Sequence, residues 1–172
     1  AIHIHDLLPS LLGPVAQVFA DVATRVNQIE VEDCAALSLR MQSGALITSS
    51  VTLGSAKNMS RLRLMFEGFT VESDQSPYAP ADKPWRFVAR APVSQDQIDT
   101  VLAELAPVKS GYAGLFSAIA NALEGQSGNE VTLADGRRSL EFVTAAYASA
   151  RQNAPVTLPL TPSHPMYGGW HP

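Results

Sequence analysis

Residues 35 to 53 constrain the fold of this chain most. Ala35, Leu37, Leu39 and Met41 alternate with Ala36, Ser38 and Arg40, and a Gln42-Ser43-Gly44 turn follows. Beyond the turn, Ile47, Ser49, Val51 and Leu53 alternate with Leu46, Thr48, Ser50 and Thr52. Successive side chains of a strand point to opposite faces, so this pattern predicts an antiparallel hairpin with one face buried. Further strands are expected at Val15 to Val26, Arg61 to Phe66, Phe69 to Glu72 and Trp85 to Arg90, with a turn at Glu67-Gly68. The polar, proline-rich stretch from Ser73 to Pro84 reads as a loop. Strands that follow one another through short turns pair antiparallel, because parallel pairs need a long crossover.

The period changes at Ser94. Ser94 with Gln97 makes a capping box, and Ile98, Val101, Leu102 and Leu105 follow at helical spacing. A second helix carries Tyr112, Leu115, Phe116, Ile119 and Leu123 and stops at Gly125. A third starts at Thr132, with Asp135 as its capping partner, and runs to about Arg151. At the front of the chain, Ile2 to Leu12 reads as a helix ended by Gly13-Pro14, provided that Pro9 sits in an early turn or a kink. Val156 to Leu160 reads as a last short strand. The fold class predicted is α+β, a largely antiparallel open-faced β-sheet with helices packed on one face. No repeat or composition break marks a second domain, so residues 1–172 are expected to form one. The open face would carry Ser38, Arg40, Thr48, Ser50, Arg61 and Arg63, and must meet solvent, another domain or another subunit.

Composition removes several classes of function. The net charge of -4 and the lack of any basic cluster beyond Arg61 with Arg63 and Arg137 with Arg138 argue against a nucleic-acid surface. Cys34 is the only cysteine, which excludes an intrachain disulfide and a cysteine-built metal knot. It lies in an apolar run and is expected to act as a small buried hydrophobe, consistent with a cytoplasmic location. No apolar run approaches the roughly 20 residues of a membrane span, and no signal peptide is visible. The start at Ala1, directly in a helix, is expected of a fragment or a processed product.

Chemistry has few places to sit. In His3-Ile4-His5-Asp6, a strand would point His3 and His5 the same way, where they could share a metal ion. A helix separates residues two apart by about 200° and instead brings His3 and Asp6 to one face. Asp82-Lys83-Pro84 offers a lysine able to assist removal of a hydroxyl proton, although an exposed loop lysine is the simpler reading. The tail from His164 to His171 is rich in aromatic and histidine residues and is expected to pack on its own domain. There is no Gly-x-Gly-x-x-Gly turn, P-loop, Gly-x-Ser-x-Gly or His-Glu-x-x-His. The residues alone therefore lead to an α+β domain with a possible His-Asp site.

A resemblance goes further. The segment Ile2-His3-Ile4-His5-Asp6-Leu7-Leu8, with Leu11-Leu12-Gly13, resembles the opening of the C-terminal domain of the Gfo/Idh/MocA oxidoreductases. The family pattern there is roughly Asp-x-x-x-His-x-x-Asp-x-x-x-x-Leu-x-Gly. The likeness continues through Pro14-Val15, Glu32-Asp33 and Gly44-Ala45. It closes on Asp135-Gly136-Arg137-Arg138-Ser139-Leu140-Glu141, Ser149-Ala150-Arg151 and Val156-Thr157-Leu158-Pro159. It covers nearly the whole chain, and the order and spacing of the segments carry more weight than any one of them.

The resemblance implies that His3 is the general acid/base acting on a substrate hydroxyl or carbonyl, and that Asp6, one helical turn on, positions the site. His5 falls at a variable position and receives no role. The reaction implied is hydride transfer between a carbinol carbon of a sugar, cyclitol or related polyol and the nicotinamide of NAD or NADP. The family's acidic residue four before the histidine would precede Ala1. The nucleotide-binding N-terminal domain, with its glycine turn and Glu-Lys-Pro lysine, is expected to be absent from this chain. Asp82-Lys83-Pro84 only imitates that lysine motif. The chain is thus expected to supply the substrate wall, to associate through its sheet as a homo-oligomer, and to be inactive alone. Two alternatives stay open: a non-catalytic oligomerisation or interaction module, and a metal-dependent hydrolase using His3 and His5.

Overall fold

The computed structural model describes residues 2–80, 83–126 and 130–170, with the side chains of Ile2 and His3 outside that description. The chain divides into two compact units, residues Ala1–Lys57 with Thr132–Pro172, and residues Asn58–Val131.

In the first unit, helix α1 (Ile2–Leu12) leads into strands β1 (Val15–Ala23), β2 (Cys34–Met41) and β3 (Leu46–Thr52). Helix α4 (Leu133–Gln152) and strand β7 (Val156–Thr157) complete it, and the sheet has the order β3-β2-β1-β7. Every pairing in it is antiparallel. The hairpin register joins Arg40 to Leu46 and Leu39 to Ile47, and the turn closes through Met41 N–H to the Ala45 carbonyl at 2.9 Å. Alternation sorts the faces as the sequence predicts. Val18, Ala20, Leu39 and Met41 are buried, and α4 packs against β1 with Thr144, Ala145, Ala148 and Ser149 turned inward. Phe19, Asp21, Ala36, Ser38, Thr48 and Ser50 lie on the opposite, open face.

α1 ends where Gly13 takes a φ of +81°, a conformation that costs glycine little, and its N–H returns to the Pro9 carbonyl at 3.0 Å. Pro9 lies well inside α1 instead of in its first turn, so the His5 carbonyl receives no N–H from position 9. β1 stops at Ala23, short of the expected Val26. The buried Asp33 carboxylate accepts the backbone N–H groups of Arg25 at 2.7 Å, Val26 at 2.9 Å and Asn27 at 2.6 Å, and takes them away from any ladder. The loop so formed presses Val26 onto Gly54, where an added Cβ would fall 2.4 Å from Val26 Cγ2. β7 is also shorter than the expected strand, because Pro159 has no N–H to continue it.

The second unit holds strands β4 (Arg63–Met65), β5 (Phe69–Glu72) and β6 (Arg86–Ala89) and helices α2 (Gln95–Ala103) and α3 (Gly111–Leu123). Its antiparallel sheet has the order β4-β5-β6. Leu62, Leu64 and Val71 are buried in it, and α2 packs near β6. Arg63 and Arg86 flank Glu72 on one face, at 3.0 and 2.8 Å. They therefore belong to a separate sheet and not to the polar face that carries Ser38 and Thr48. The stretch between β3 and β4 contains Gly54, Ser55, Lys57, Asn58 and Ser60, which interrupt any alternation. Both capping boxes form, Ser94 with Gln97 and Thr132 with Asp135. Among the described residues the two units together hold antiparallel sheets and four helices, an α+β arrangement.

Candidate active site and adjoining cleft

The backbone of α1 is helical through positions 3 to 6, so positions 3 and 6 lie one turn apart and positions 3 and 5 about 200° apart around the axis. Asp6 is exposed. The His3 side chain lies outside the described residues. A helix does not bring positions 3 and 5 to one ion, and among the described residues no group of three or more metal-ligating side chains gathers.

His5 and Leu8, three apart, are the buried side chains of α1 among the described residues, at 5% and 4% exposure. They form the stripe by which α1 packs on α4. The His5 ring lies flat on Phe142, with ring centroids 3.8 Å apart and planes 5° apart. Burial pushes the His5 pKa down to about 4, against an opposing pull from the Asp6 carboxylate and the Arg138 backbone. The imidazole is neutral at neutral pH, and its Nδ1 is buried without a hydrogen-bond partner. The family resemblance leaves His5 without a role, and the sequence otherwise offers it only as a metal ligand beside His3. Its spacing to Leu8 was the one available sign that it faces inward.

Beside this stack a cleft of about 320 Å³ opens between α1 and the first turns of α4. Pro9, Pro14, Val15, Leu158 and Pro159 supply apolar walls. Gln42, Arg137, Arg138 and Glu141 supply the polar ones. Arg138 is paired with Asp135, one turn back on α4. Glu141 Oε1 accepts the Leu160 N–H at 2.6 Å and stands 4.0 Å from Arg137. The sequence marked Arg137 and Arg138 only as a small basic pair, because the walls that make the cleft come from segments distant in the chain.

The other candidates are quieter. Lys83 is largely exposed, 3.7 Å from Asp74, and Asp82 lies outside the described residues. The tail packs on its own unit: Trp170 Nε1 donates to Thr144 Oγ1 at 2.9 Å, and its ring meets Tyr147 edge-on at 5.2 Å. His171 and Pro172 lie outside the described residues. Tyr147 donates to Glu32, which raises its pKa to about 12. Cys34 is half-buried at the start of β2, beside Thr52 at 3.4 Å, and not sunk in the core as its apolar neighbours implied. Among the described residues no helix is long and apolar enough to cross a membrane.

Comparison with known proteins places this geometry. The model of the oxidoreductase family, C-terminal alpha/beta domain, matches residues 1–158. No curated protein matches the chain. Among solved structures, the WlbA dehydrogenase of Chromobacterium violaceum, in complex with NADH and UDP-GlcNAcA, is 31% identical with a TM-score of 0.68, over 92% of this chain and 44% of that one. The Bordetella pertussis WlbA dehydrogenase, in complex with the same two ligands, is 28% identical with a TM-score of 0.68, over 94% of this chain and 44% of that one. The aldose-aldose oxidoreductase of Caulobacter crescentus, at 23% identity and a TM-score of 0.61, shares the fold over 91% of this chain and 45% of its own. This chain thus spans less than half the length of these solved relatives. A family match over most of the chain, on the α+β fold and the α1 segment described above, settles its membership: the chain belongs to the Gfo/Idh/MocA oxidoreductase family, as its C-terminal α/β domain.

Proposed function

We propose that this chain is the substrate-binding and assembly part of an NAD- or NADP-dependent dehydrogenase acting on a sugar, cyclitol or related polyol. The observation that carries the proposal is the family match over residues 1–158; the helical backbone of α1, with positions 3 and 6 one turn apart, is in keeping with the resemblance of this segment to the family's histidine and acidic pattern. His3 acts as general acid/base at the substrate oxygen, and Asp6 positions the site. A sugar-type substrate is in keeping with WlbA, solved with a nucleotide-linked sugar acid at 28% and 31% identity.

The residues of this chain do not fit a dinucleotide. A pyrophosphate is commonly cradled where a strand runs through a glycine-rich turn into a helix of a parallel sheet. Every strand pairing described here is antiparallel, and the sequence has no Gly-x-Gly-x-x-Gly. The cofactor is therefore held by a companion N-terminal domain of the whole protein, and this part alone is inactive. The open face around Phe19, Asp21, Ser38 and Thr48 serves self-association, and the protein works in the cytoplasm as a homo-oligomer. Residues 1–172 act together as the one substrate-binding and oligomerisation domain.

The test compares nicotinamide binding and polyol oxidation in the full-length protein, its His3→Ala variant and this chain alone. Turnover in the full-length protein only, sharply lowered by His3→Ala while cofactor binding survives, is expected. Cofactor binding by this chain alone, or unchanged turnover in the variant, would sink the proposal.

A further inference from the structure

We propose that the cleft between α1 and the start of α4 is a ligand site of its own, for a small organic carboxylate carried on a flat apolar body. Its volume of about 320 Å³ is that of a small-molecule pocket. Pro9, Pro14 and Pro159 line it with rings that lose little freedom when a ligand packs against them. The stacked His5 and Phe142 add a flat wall. That wall is uncharged at neutral pH, so it favours an apolar or aromatic surface over a second charge.

One side of the cleft is built for an anion. Arg137 and Arg138 follow each other in the first turns of α4, where the helix dipole is also positive. Arg138 is already engaged by Asp135. Arg137 is held more loosely: its ion pair with Glu141 is 4.0 Å long, Glu141 Oε1 also accepts the Leu160 N–H, and Arg137 makes no side-chain hydrogen bond among the described residues. A guanidinium so loosely paired beside an apolar cleft can turn its donors to the two oxygens of a carboxylate. Among the described residues, Asp6 does not line this cleft. The carboxylate bound here would therefore lie apart from the Asp6 side chain, although both use α1.

The experiment titrates benzoate into the full-length protein and follows the His5 ring resonances by NMR, assigned with His5→Phe. Inorganic phosphate tests charge without an apolar body, and benzyl alcohol tests the body without charge. Saturable benzoate binding that moves the His5 resonances is expected. It should weaken by about tenfold or more in Arg137→Gln, as loss of a charge-assisted pair implies, and be retained in part by Arg137→Lys. Arg137 is largely exposed, so both variants should fold, as circular dichroism would check. The proposal is overturned if benzoate gives no saturable response, including because the rest of the polypeptide fills the cleft. It is equally overturned if Arg137→Gln binds unchanged, or if phosphate or benzyl alcohol binds as well as benzoate.

Discussion

The His5 imidazole lies face to face with the Phe142 ring at 3.8 Å, and this stack joins the helix bearing the candidate acid/base pair to α4. Burial there favours the neutral ring. Because burial holds the folded pKa near 4, the unfolded chain binds a proton that the folded chain refuses between about pH 6.5 and pH 4. Stability is therefore fully present above pH 6.5 and falls as the pH drops toward 4, by about 3 kcal/mol at most.

His5→Phe keeps a flat ring on Phe142 and removes both the titration and the unpartnered Nδ1. The variant should be at least as stable as the parent at pH 7 and lose less stability between pH 6.5 and 4. Urea denaturation across that range measures both. Parallel pH profiles for the two proteins would show that His5 does not carry the dependence.

Asp33 ties the loop after β1 by accepting the Arg25, Val26 and Asn27 N–H groups, which holds its carboxyl well below the usual carboxylate range. The Arg25 and Asn27 backbones are the largest causes. A depressed carboxylate stabilises the fold above its unfolded pKa of about 3.9, and that stability is lost as the pH falls further. Asp33→Asn should lower the melting temperature at neutral pH, with the gap to the parent closing below about pH 4. A gap that stays constant from pH 7 to pH 3 would contradict the assignment.

Thr132→Ala removes the side chain that accepts the Asp135 N–H in the capping box of α4. Loss of an N-cap costs about 1 kcal/mol. Chemical denaturation should show that loss while Thr132→Ser retains the cap, and a variant as stable as the parent would mean that the cap is idle.

How far the sequence could be read follows from the range of the forces involved. The hairpin at Gln42 to Gly44 and the boxes at Ser94 and Thr132 are made by residues a few positions apart, and the structure has them as read. The end of β1 at Ala23 depends on Asp33 reaching back six to eight positions into a loop that looked like strand, so alternation alone missed it. The division into two sheets was hidden for a similar reason: β4 reads as well for one sheet as for the other, and only pairing with β5 decides. The proposal for His3 and Asp6 rests on a local pattern, whereas the cleft needs Pro9, Arg137 and Pro159 brought together from three distant segments.

Ser149 offers a last test, at a position whose job no local pattern reveals. Its hydroxyl is fully buried, accepts the Ala20 N–H at 3.0 Å and donates to the Ala154 carbonyl at 2.7 Å. β7 pairs with β1 at Gln17 and Val18, so at Ala20 the α4 hydroxyl takes the place of a strand neighbour. Ser149→Ala removes only the oxygen, leaving a buried donor and a buried acceptor unmatched. Each such group costs about 1–3 kcal/mol, so the variant should lose roughly 2 kcal/mol or more in urea denaturation. The Ala20 amide should also exchange faster with solvent deuterium than its neighbours on β1. Faster exchange confined to Ala20 assigns the loss to that bond, whereas uniform acceleration along β1 would mean that Ser149 serves only to pack α4 on the sheet.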